Sequence, residues 1–331
     1  MHQMTNLEYS FIVAELAPKI VGKHFNRIRK LGEGTYRMKI GTTEVLCELG
    51  VRIHETRYVA EAETDKFVEK AGKELDNARL ISLEQVNNDR ILSFTFDKGT
   101  LVFEMFGDGN AVLVRGGVTV CAAKYEKWAG REITVGKPYS PPASVPSTKL
   151  EPSDKYIIVS LMKLPLGKDY AAEALARAKI DEKTPGNKLD VGQLSRLERE
   201  LESIRSSAKP LVFYDNGKPV DFALAALSKN SKLEARPFVS LSEAADEYYA
   251  NVELPNPEVE KLVRRLEKQR ERLDELLREE KSDRERGDFI YAHYADIERL
   301  LALAKEGKFD ELQRLGAKLD KKEKSMEIEL Q

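Results

Sequence analysis

The sequence predicts an α+β protein built as a helix-flanked antiparallel β-sheet or sandwich, followed by a helix-hairpin-helix module and then a coiled-coil arm. Three observations carry that prediction. Over the first 150 residues apolar and polar positions alternate between glycine-bearing joints, the period of strands and hairpins. Residues 152–207 shift to a helical period. From Glu258 the composition turns to Glu, Arg, Lys and Leu with a heptad of apolar positions.

Taken in order, Thr5 and Glu8 have the spacing of a capping box, and Leu7, Phe11, Ala14, Leu16 and Ala17 give an apolar face to a helix from Thr5 to Ile20, ended by Gly22. From Phe25 to Leu49 the period becomes that of strands, with turns at Glu33-Gly34 and Gly41. A second amphipathic helix covers Asp65 to Ala78 and packs on the sheet. Strands follow at Ile91–Phe96, Leu101–Phe106, Ala111–Val114 and Val118–Ala122, joined at Gly99, Gly107, Gly109, Gly116 and Gly117. Pro138, Pro141-Pro142 and Pro146-Ser147 mark an exit linker.

Beyond it, Lys155–Lys163 and Asp169–Lys179 flank the tight turn Leu164-Pro165-Leu166-Gly167. This is a helical hairpin whose turn amides at Gly167 and Lys168 can hold a phosphate, or else a small packing module. A helix at Gly192–Ile204, a hairpin around Asp215-Asn216-Gly217 and a helix at Ser240–Tyr249 complete this region. Val259, Leu262, Leu266, Gln269, Leu273 and Leu276 form the coiled-coil seam of a helix from Glu258 to Arg286, which needs a partner helix. Gly287-Asp288 is expected to interrupt it before a helix through Leu301 and a shorter one at Phe309–Leu319. The strand-like pattern from Met326 to Leu330 has no evident partner, so the chain reads as a fragment whose second coiled-coil strand lies downstream, unless the arm pairs with another chain. The expected boundaries are 1–150, 151–255, 256–286 and 287–331.

Composition narrows the function classes. Of 331 residues, 54 are Lys or Arg and 56 are Asp or Glu, a net charge of −2, so the chain is no uniformly basic nucleic-acid coat but leaves room for local basic surfaces. Cys47 and Cys121 lie in apolar runs and read as two buried thiols of a reducing compartment, with a disulfide as the alternative. No His/Cys set has metal-ligand spacing, and no run has the length of a membrane span. The expectation is a cytoplasmic binding protein without cofactor, membrane partner or catalytic centre.

The candidate binding residues stand at element edges. Asp89-Arg90 places two opposite charges between a turn and the strand Ile91–Phe96; the bland alternative is a turn-edge ion pair. Lys19, Lys23, Arg27, Arg29, Lys30, Arg37 and Lys39 meet only Glu33 as a counter-charge in their stretch, which suggests a phosphate-binding hairpin or an ordinary solvated face. Arg37 and Lys39 should share one side of their strand, opposite Met38 and Ile40. Lys124-Tyr125-Glu126-Lys127-Trp128 with Arg131 mixes basic and aromatic groups, although the tryptophan is equally suited to closing a core.

In order along the chain, Gly50-Val51-Arg52-Ile53-His54-Glu55-Thr56-Arg57-Tyr58, Ala78-Arg79-Leu80, Asp89-Arg90-Ile91 and Gly107-Asp108-Gly109-Asn110-Ala111-Val112-Leu113 resemble the NFACT family, which includes RqcH, NEMF and proteins called fibronectin-binding protein A. Pro219-Val220-Asp221-Phe222 and Ser242 to Tyr249 continue the resemblance, and the Arg-Ile-His-Glu-Thr form is closest to archaeal and eukaryotic members. The resemblance implies a first domain related to formamidopyrimidine-DNA glycosylases, a helix-hairpin-helix domain and a coiled-coil arm. It also implies a ribosome-associated quality control factor that binds the obstructed large ribosomal subunit with its peptidyl-tRNA. Such a factor recruits tRNA, alanine tRNA among the candidates, for untemplated C-terminal tailing. Asp89 and Arg90 match the family's pair for tRNA recruitment; Arg52 and His54 fall in the motif most like the family's. Glu8 stands where eukaryotic members carry a functional aspartate, and the capping box explains it without a ligand. Gly107, Gly109 and Asn110 read as fixing a hairpin. Two alternatives are a DNA-binding protein of glycosylase-like fold and an adhesin-type matrix-binding protein. Met1-His2-Gln3 and the missing zinc-finger cysteines argue against lyase chemistry in the first, and the lack of an export signal argues against the second.

Overall fold

Thr5 accepts from the Glu8 amide while the Glu8 carboxylate accepts from the Thr5 amide, and this reciprocal cap starts α1, Asn6–Ile20. The computed structural model describes all residues except 59–61, 129, 143–145, 148, 207, 252–256, 317, 321–324 and 328–331. The side chains of 251, 257–264, 266–268, 270, 271, 274, 318–320 and 325–327 also lie outside the described residues.

After α1 come β1 (Phe25–Gly32), β2 (Thr35–Ile40), β3 (Thr43–Glu48) and β4 (Arg52–Glu55), an antiparallel sheet in sequence order. Then α2 (Lys66–Glu74) precedes β5 (Leu80–Gln85), β6 (Ile91–Phe96), β7 (Gly99–Glu104), β8 (Asn110–Arg115) and β9 (Val118–Ala122), a second meander in the same style. β4 and β5 were not among the predicted strands. The inner faces of the two sheets share one core, with Met38, Val45 and Ile53 on one side and Phe94, Phe103 and Leu113 on the other. α1 packs against β4 and β5, and α2 against β1 and β9. Cys47 and Cys121 are buried and unpaired, so the thiol reading holds.

A small hairpin of β10 (Glu126–Trp128) and β11 (Arg131–Ile133) covers the outer face of the second sheet. There Ile133 and Tyr139 close a satellite cluster over Ile91, Val102 and Val112. Trp128 does not join it: the residue is 47% exposed, which corrects the core alternative.

The proline-rich exit does not divide the core. α3 (Ile157–Leu161), α4 (Lys168–Ala178), α5 (Val191–Ser206), the sheet of β12 (Leu211–Asp215), β13 (Lys218–Ala223) and β14 (Glu234–Pro237), and α6 (Leu241–Asn251) feed the same cluster. Tyr170, Phe222, Tyr248 and Tyr249 belong to it together with Met4 and Tyr9. Residues Met1–Leu254 form one compact unit.

The second unit, Pro255–Gln331, contains α7 (Pro257–Ala292), α8 (Tyr294–Lys305), α9 (Phe309–Arg314) and the paired strands β15 (Lys318–Asp320) and β16 (Ser325–Glu327). Two expectations are corrected. α7 runs through Gly287-Asp288 and the break falls at His293; one glycine costs only about 1 kcal/mol in a helix interior. α9 stops at Arg314, Gly316 takes φ +91, and the C-terminal strand pairs with residues 318–320, which had been assigned no strand. Of the seam positions, Val259, Leu262 and Leu266 have side chains outside the described residues, whereas Leu273 and Leu276 are exposed.

Candidate nucleic-acid interface

The start of α1 is where most of the structure's chemistry gathers. Asn87 and Asn88 take left-handed backbone angles (φ 55 and 54), which asparagine tolerates better than other side chains, and they turn the chain out of β5 so that Asp89 faces α1. Asp89 Oδ1 accepts from the Arg90 amide at 2.7 Å and from Asn6 Nδ2 at 3.2 Å. Gln85 Nε2 clamps the loop by donating to the carbonyls of Asn6 and Asp89, at 2.8 and 2.9 Å. The Arg90 carbonyl accepts from Met105 at 2.7 Å, so its backbone is held as well. Among the described residues, the half-buried Arg90 guanidinium makes no hydrogen bond or ion pair. Asp89 is therefore taken up by its own loop, while the half-buried Arg90 lies close enough to the buried Tyr9 for its charge to act on that hydroxyl.

Two further segments converge on the same end. The Met4 amide donates to Val51 at 2.9 Å, and a Cβ on Gly50 would collide with the Gly107 carbonyl, so the two glycine loops touch through bare backbone. Gly167, at φ +95, lies against Thr5, where a Cβ would meet the threonine methyl. That contact sets the first turn of α4, with exposed Lys168, beside the first turn of α1. Asn110 is buried and bonded to Lys124 and Ala111, as a hairpin-fixing residue should be.

Below this surface lies a buried charge cluster that the sequence reading missed. The His2 ring donates through Nδ1 to Asp221 at 2.8 Å and through Nε2 to both Glu8 oxygens at 3.2 Å. Burial alone would drive the His2 proton off, but the Glu8 charge and the hydrogen bonds to Asp221 and Glu8 prevail and hold its pKa up to about 10. Burial pushes the Glu8 carboxyl up, yet His2, the Thr5 amide and Tyr170 hold it below its usual range. Tyr170 donates to Glu8 at 2.7 Å and accepts from the Leu224 amide at 3.0 Å. The Asp221 carboxyl is also displaced downward: against burial, it is held by His2, Lys229 and Asn230. Local sequence gave no sign of this, because its members come from the N-terminus, α1, α4 and β13.

Burial places four of the candidate residues beneath the surface, Glu8 among them as the capping box leads one to expect. Glu8 is fully buried in the cluster just described. Arg52 is 3% exposed; it pairs with Glu48 at 2.8 Å and lies 3.9 Å from the Tyr249 ring centre of α6. His54 is fully buried and stacks on the same tyrosine, and burial with the neighbouring Arg52 charge depresses its pKa to about 3, so it is a neutral packing residue. Arg37 does share a face with Lys39, opposite Met38 and Ile40, but it is 6% exposed.

The basic hairpin also has more counter-charge than its own stretch suggested. Glu44 of β3 sits 2.9 Å from Arg27, 3.6 Å from Arg37 and 3.7 Å from Lys39, while Lys19 meets Glu55 and Lys30 meets Asp65. Lys23 and Arg29 are exposed and, among the described residues, unpaired.

Fold and surface together define an α+β protein whose sheet-loop end gathers Arg90 and Lys168, without ion-pair partners among the described residues, around two helix starts. The profile of NFACT N-terminal and middle domains matches residues 7–297, and the chain belongs to the NFACT family. It is 30% identical to the archaeal Rqc2 homolog aRqcH of Methanocaldococcus jannaschii, across 90% of this chain and 51% of that protein, so it spans about half that relative's length. It is 33% identical over 125 residues to ribosome quality control complex subunit 2 of Schizosaccharomyces pombe, covering 33% of this chain and 12% of that one. Among solved structures, the N-terminal part of the fibronectin/fibrinogen-binding protein from Streptococcus suis superposes with a TM-score of 0.59 at 20% identity, over 75% of this chain and 99% of that one, a likeness of fold.

Proposed function

We propose that this chain is the N-terminal part of a ribosome-associated quality control factor that binds the obstructed large subunit and recruits tRNA through the Asp89–Arg90 end of its first unit. The untemplated tailing of the stalled chain then uses the peptidyl transfer of the ribosome. Membership of the family and the names of its relatives supply the class. The observation that carries the site is the half-buried Arg90 guanidinium, which among the described residues makes no hydrogen bond or ion pair while its backbone is held by Met105. A planar fork so placed can take a phosphate in two hydrogen bonds or stack on an unstacked base. Lys168 and the turn at Gly167 extend this surface as a helix-hairpin-helix would, and Lys23 and Arg29 add cations on the first sheet.

Arg90→Ala removes a side chain that holds nothing else among the described residues, so the fold should survive. Affinity for labelled tRNA, read by fluorescence anisotropy, is expected to fall about ten-fold, or about 1.4 kcal/mol. Asp89→Asn keeps the acceptor for Asn6 and the Arg90 amide and should cost less. If Arg90→Ala bound tRNA as the parent does, with an unchanged circular dichroism spectrum, the site would be wrongly assigned.

A further inference from the structure

The only tryptophan of the chain is set out on a hairpin tip, and the hairpin is built to keep it there. Trp128 is 47% exposed, and Tyr125 and Val135 nearby are 57% and 56% exposed. Arg131, directly across from Trp128 in the ladder, places its guanidinium carbon 5.4 Å from the indole ring centre and 5.5 Å from that of Tyr139. The same guanidinium is immobilised from behind. It donates to both oxygens of Glu104, itself 2% exposed, and at 2.7 Å to the Ser140 carbonyl, while the Tyr139 hydroxyl donates to Glu104 at 2.9 Å. A buried carboxylate thus fixes an arginine that fixes an exposed indole, an expensive arrangement for a ring that closes no core.

Charge around the indole favours an anionic partner. Lys127 and Lys137 are exposed and, among the described residues, unpaired. Of the nearby carboxylates, Glu104 is committed to Arg131 and Tyr139 and Glu126 to Asn110, while Glu132 stands opposite Lys127 in the ladder, so Lys137 adds to a hairpin whose own Lys127 and Glu132 offset each other. Position favours the same partner as Arg90: Glu104 lies directly opposite Ile91, and the Met105 amide donates to the Arg90 carbonyl. Arg90 and Glu104, the carboxylate that anchors the hairpin of Trp128, therefore stand at the same end of the second sheet.

We propose that Trp128, pre-oriented by Arg131, is a stacking platform for an unpaired base of the bound RNA, so that this end of the protein takes a single-stranded loop and not a duplex. Every base offers a π-face, so the platform adds affinity without reading sequence. The inference rests on the tRNA reading above and goes beyond it in naming the RNA element.

Because the chain has a single tryptophan, its fluorescence reports this contact directly. An RNA stem-loop with an unpaired loop, and then tRNA, are titrated into the 331-residue chain while anisotropy of the labelled RNA reports binding independently. Quenching of the indole and its protection from acrylamide by both RNAs, but not by a blunt duplex, are expected. Trp128→Ala should weaken stem-loop binding about five- to a hundred-fold, with Trp128→Phe restoring most of it. RNA that binds by anisotropy yet leaves the indole unquenched would overturn the platform and leave the Arg90 site standing. Protection by large subunits alone, with none from tRNA or stem-loop, would overturn it in favour of a contact with the subunit. No binding of tRNA at all would sink both readings.

Discussion

His2 keeps its proton between two carboxylates, and the stability of the fold should follow that proton. Its pKa is about 10 in the fold against 6.5 ordinarily, so its stabilising contribution is complete below about 6.5 and is lost as pH rises toward 10. Glu8 has the opposite sense: held below its ordinary 4.5, it contributes above that value and loses its contribution as acid carries it through the folded pKa. Between about 4.5 and 6.5 both are in place. His2→Gln cannot charge and leaves Glu8 buried without its cation, a loss of about 3–5 kcal/mol. Urea unfolding at a series of pH values is expected to show the parent losing stability from pH 6.5 to 10 while the variant, less stable throughout, loses less. Parallel profiles would show that His2 is not the group responsible.

Elements decide which charges are left to solvent. On the face shared by β1 to β3, Arg29 stands opposite Arg37, Arg27 opposite Lys39 and Lys39 opposite Glu44, so alternation alone correctly put the cations on one side. What alternation could not supply is the neighbour strand's carboxylate or the depth of each side chain. Arg29 is exposed and free among the described residues; Arg37 is buried beside Glu44. Arg29→Glu should therefore lower tRNA affinity and flatten its salt slope by about one unit while the protein melts normally. Arg37→Glu should cost about 3–5 kcal/mol by setting a buried carboxylate beside Glu44, and would weaken binding only through unfolding. Equal melting points for the two variants would refute the distinction. The same logic separates what was legible from what was not. The capping box of α1 and the hairpins at Gly34 and Gly41 depend on neighbours in sequence and were readable. β4 was not, because nothing near Arg52 and His54 in sequence tells that α6, far along the chain, lays Tyr249 over them. Glu15 of α1 holds that helix in place, accepting from the amides of Leu241 and Ser242 at 2.6 and 3.1 Å, a pairing no local pattern announces. Asp89-Arg90 was legible as an edge pair, but its division of labour depends on Asn6 and Gln85.

Across the whole molecule the apolar core is unevenly shared. Among the described residues the main cluster runs from Met4 to Tyr249, across both sheets and the helices that follow the proline-rich exit. The second unit has a cluster of Leu300 and Leu312 with Leu303 and Ala304, while Leu273, Leu276, Leu277, Phe289 and Ile290 stay exposed. Ordering a residue costs about 1–2 kcal/mol of backbone entropy, which a long helix with an uncovered apolar stripe recovers poorly in water. A chain ending at Leu254 should therefore unfold in one cooperative transition with a midpoint close to that of the longer chain. Residues 255–331 alone should show helix content that rises with concentration, since the uncovered leucines can be buried only against another helix. Circular dichroism melts of the two pieces over a range of concentrations test both statements. A broad, non-cooperative melt of the first piece would mean that its core depends on the second unit. A concentration-independent, cooperative melt of residues 255–331 would mean that the arm folds without a helical partner and that the heptad reading of α7 is wrong.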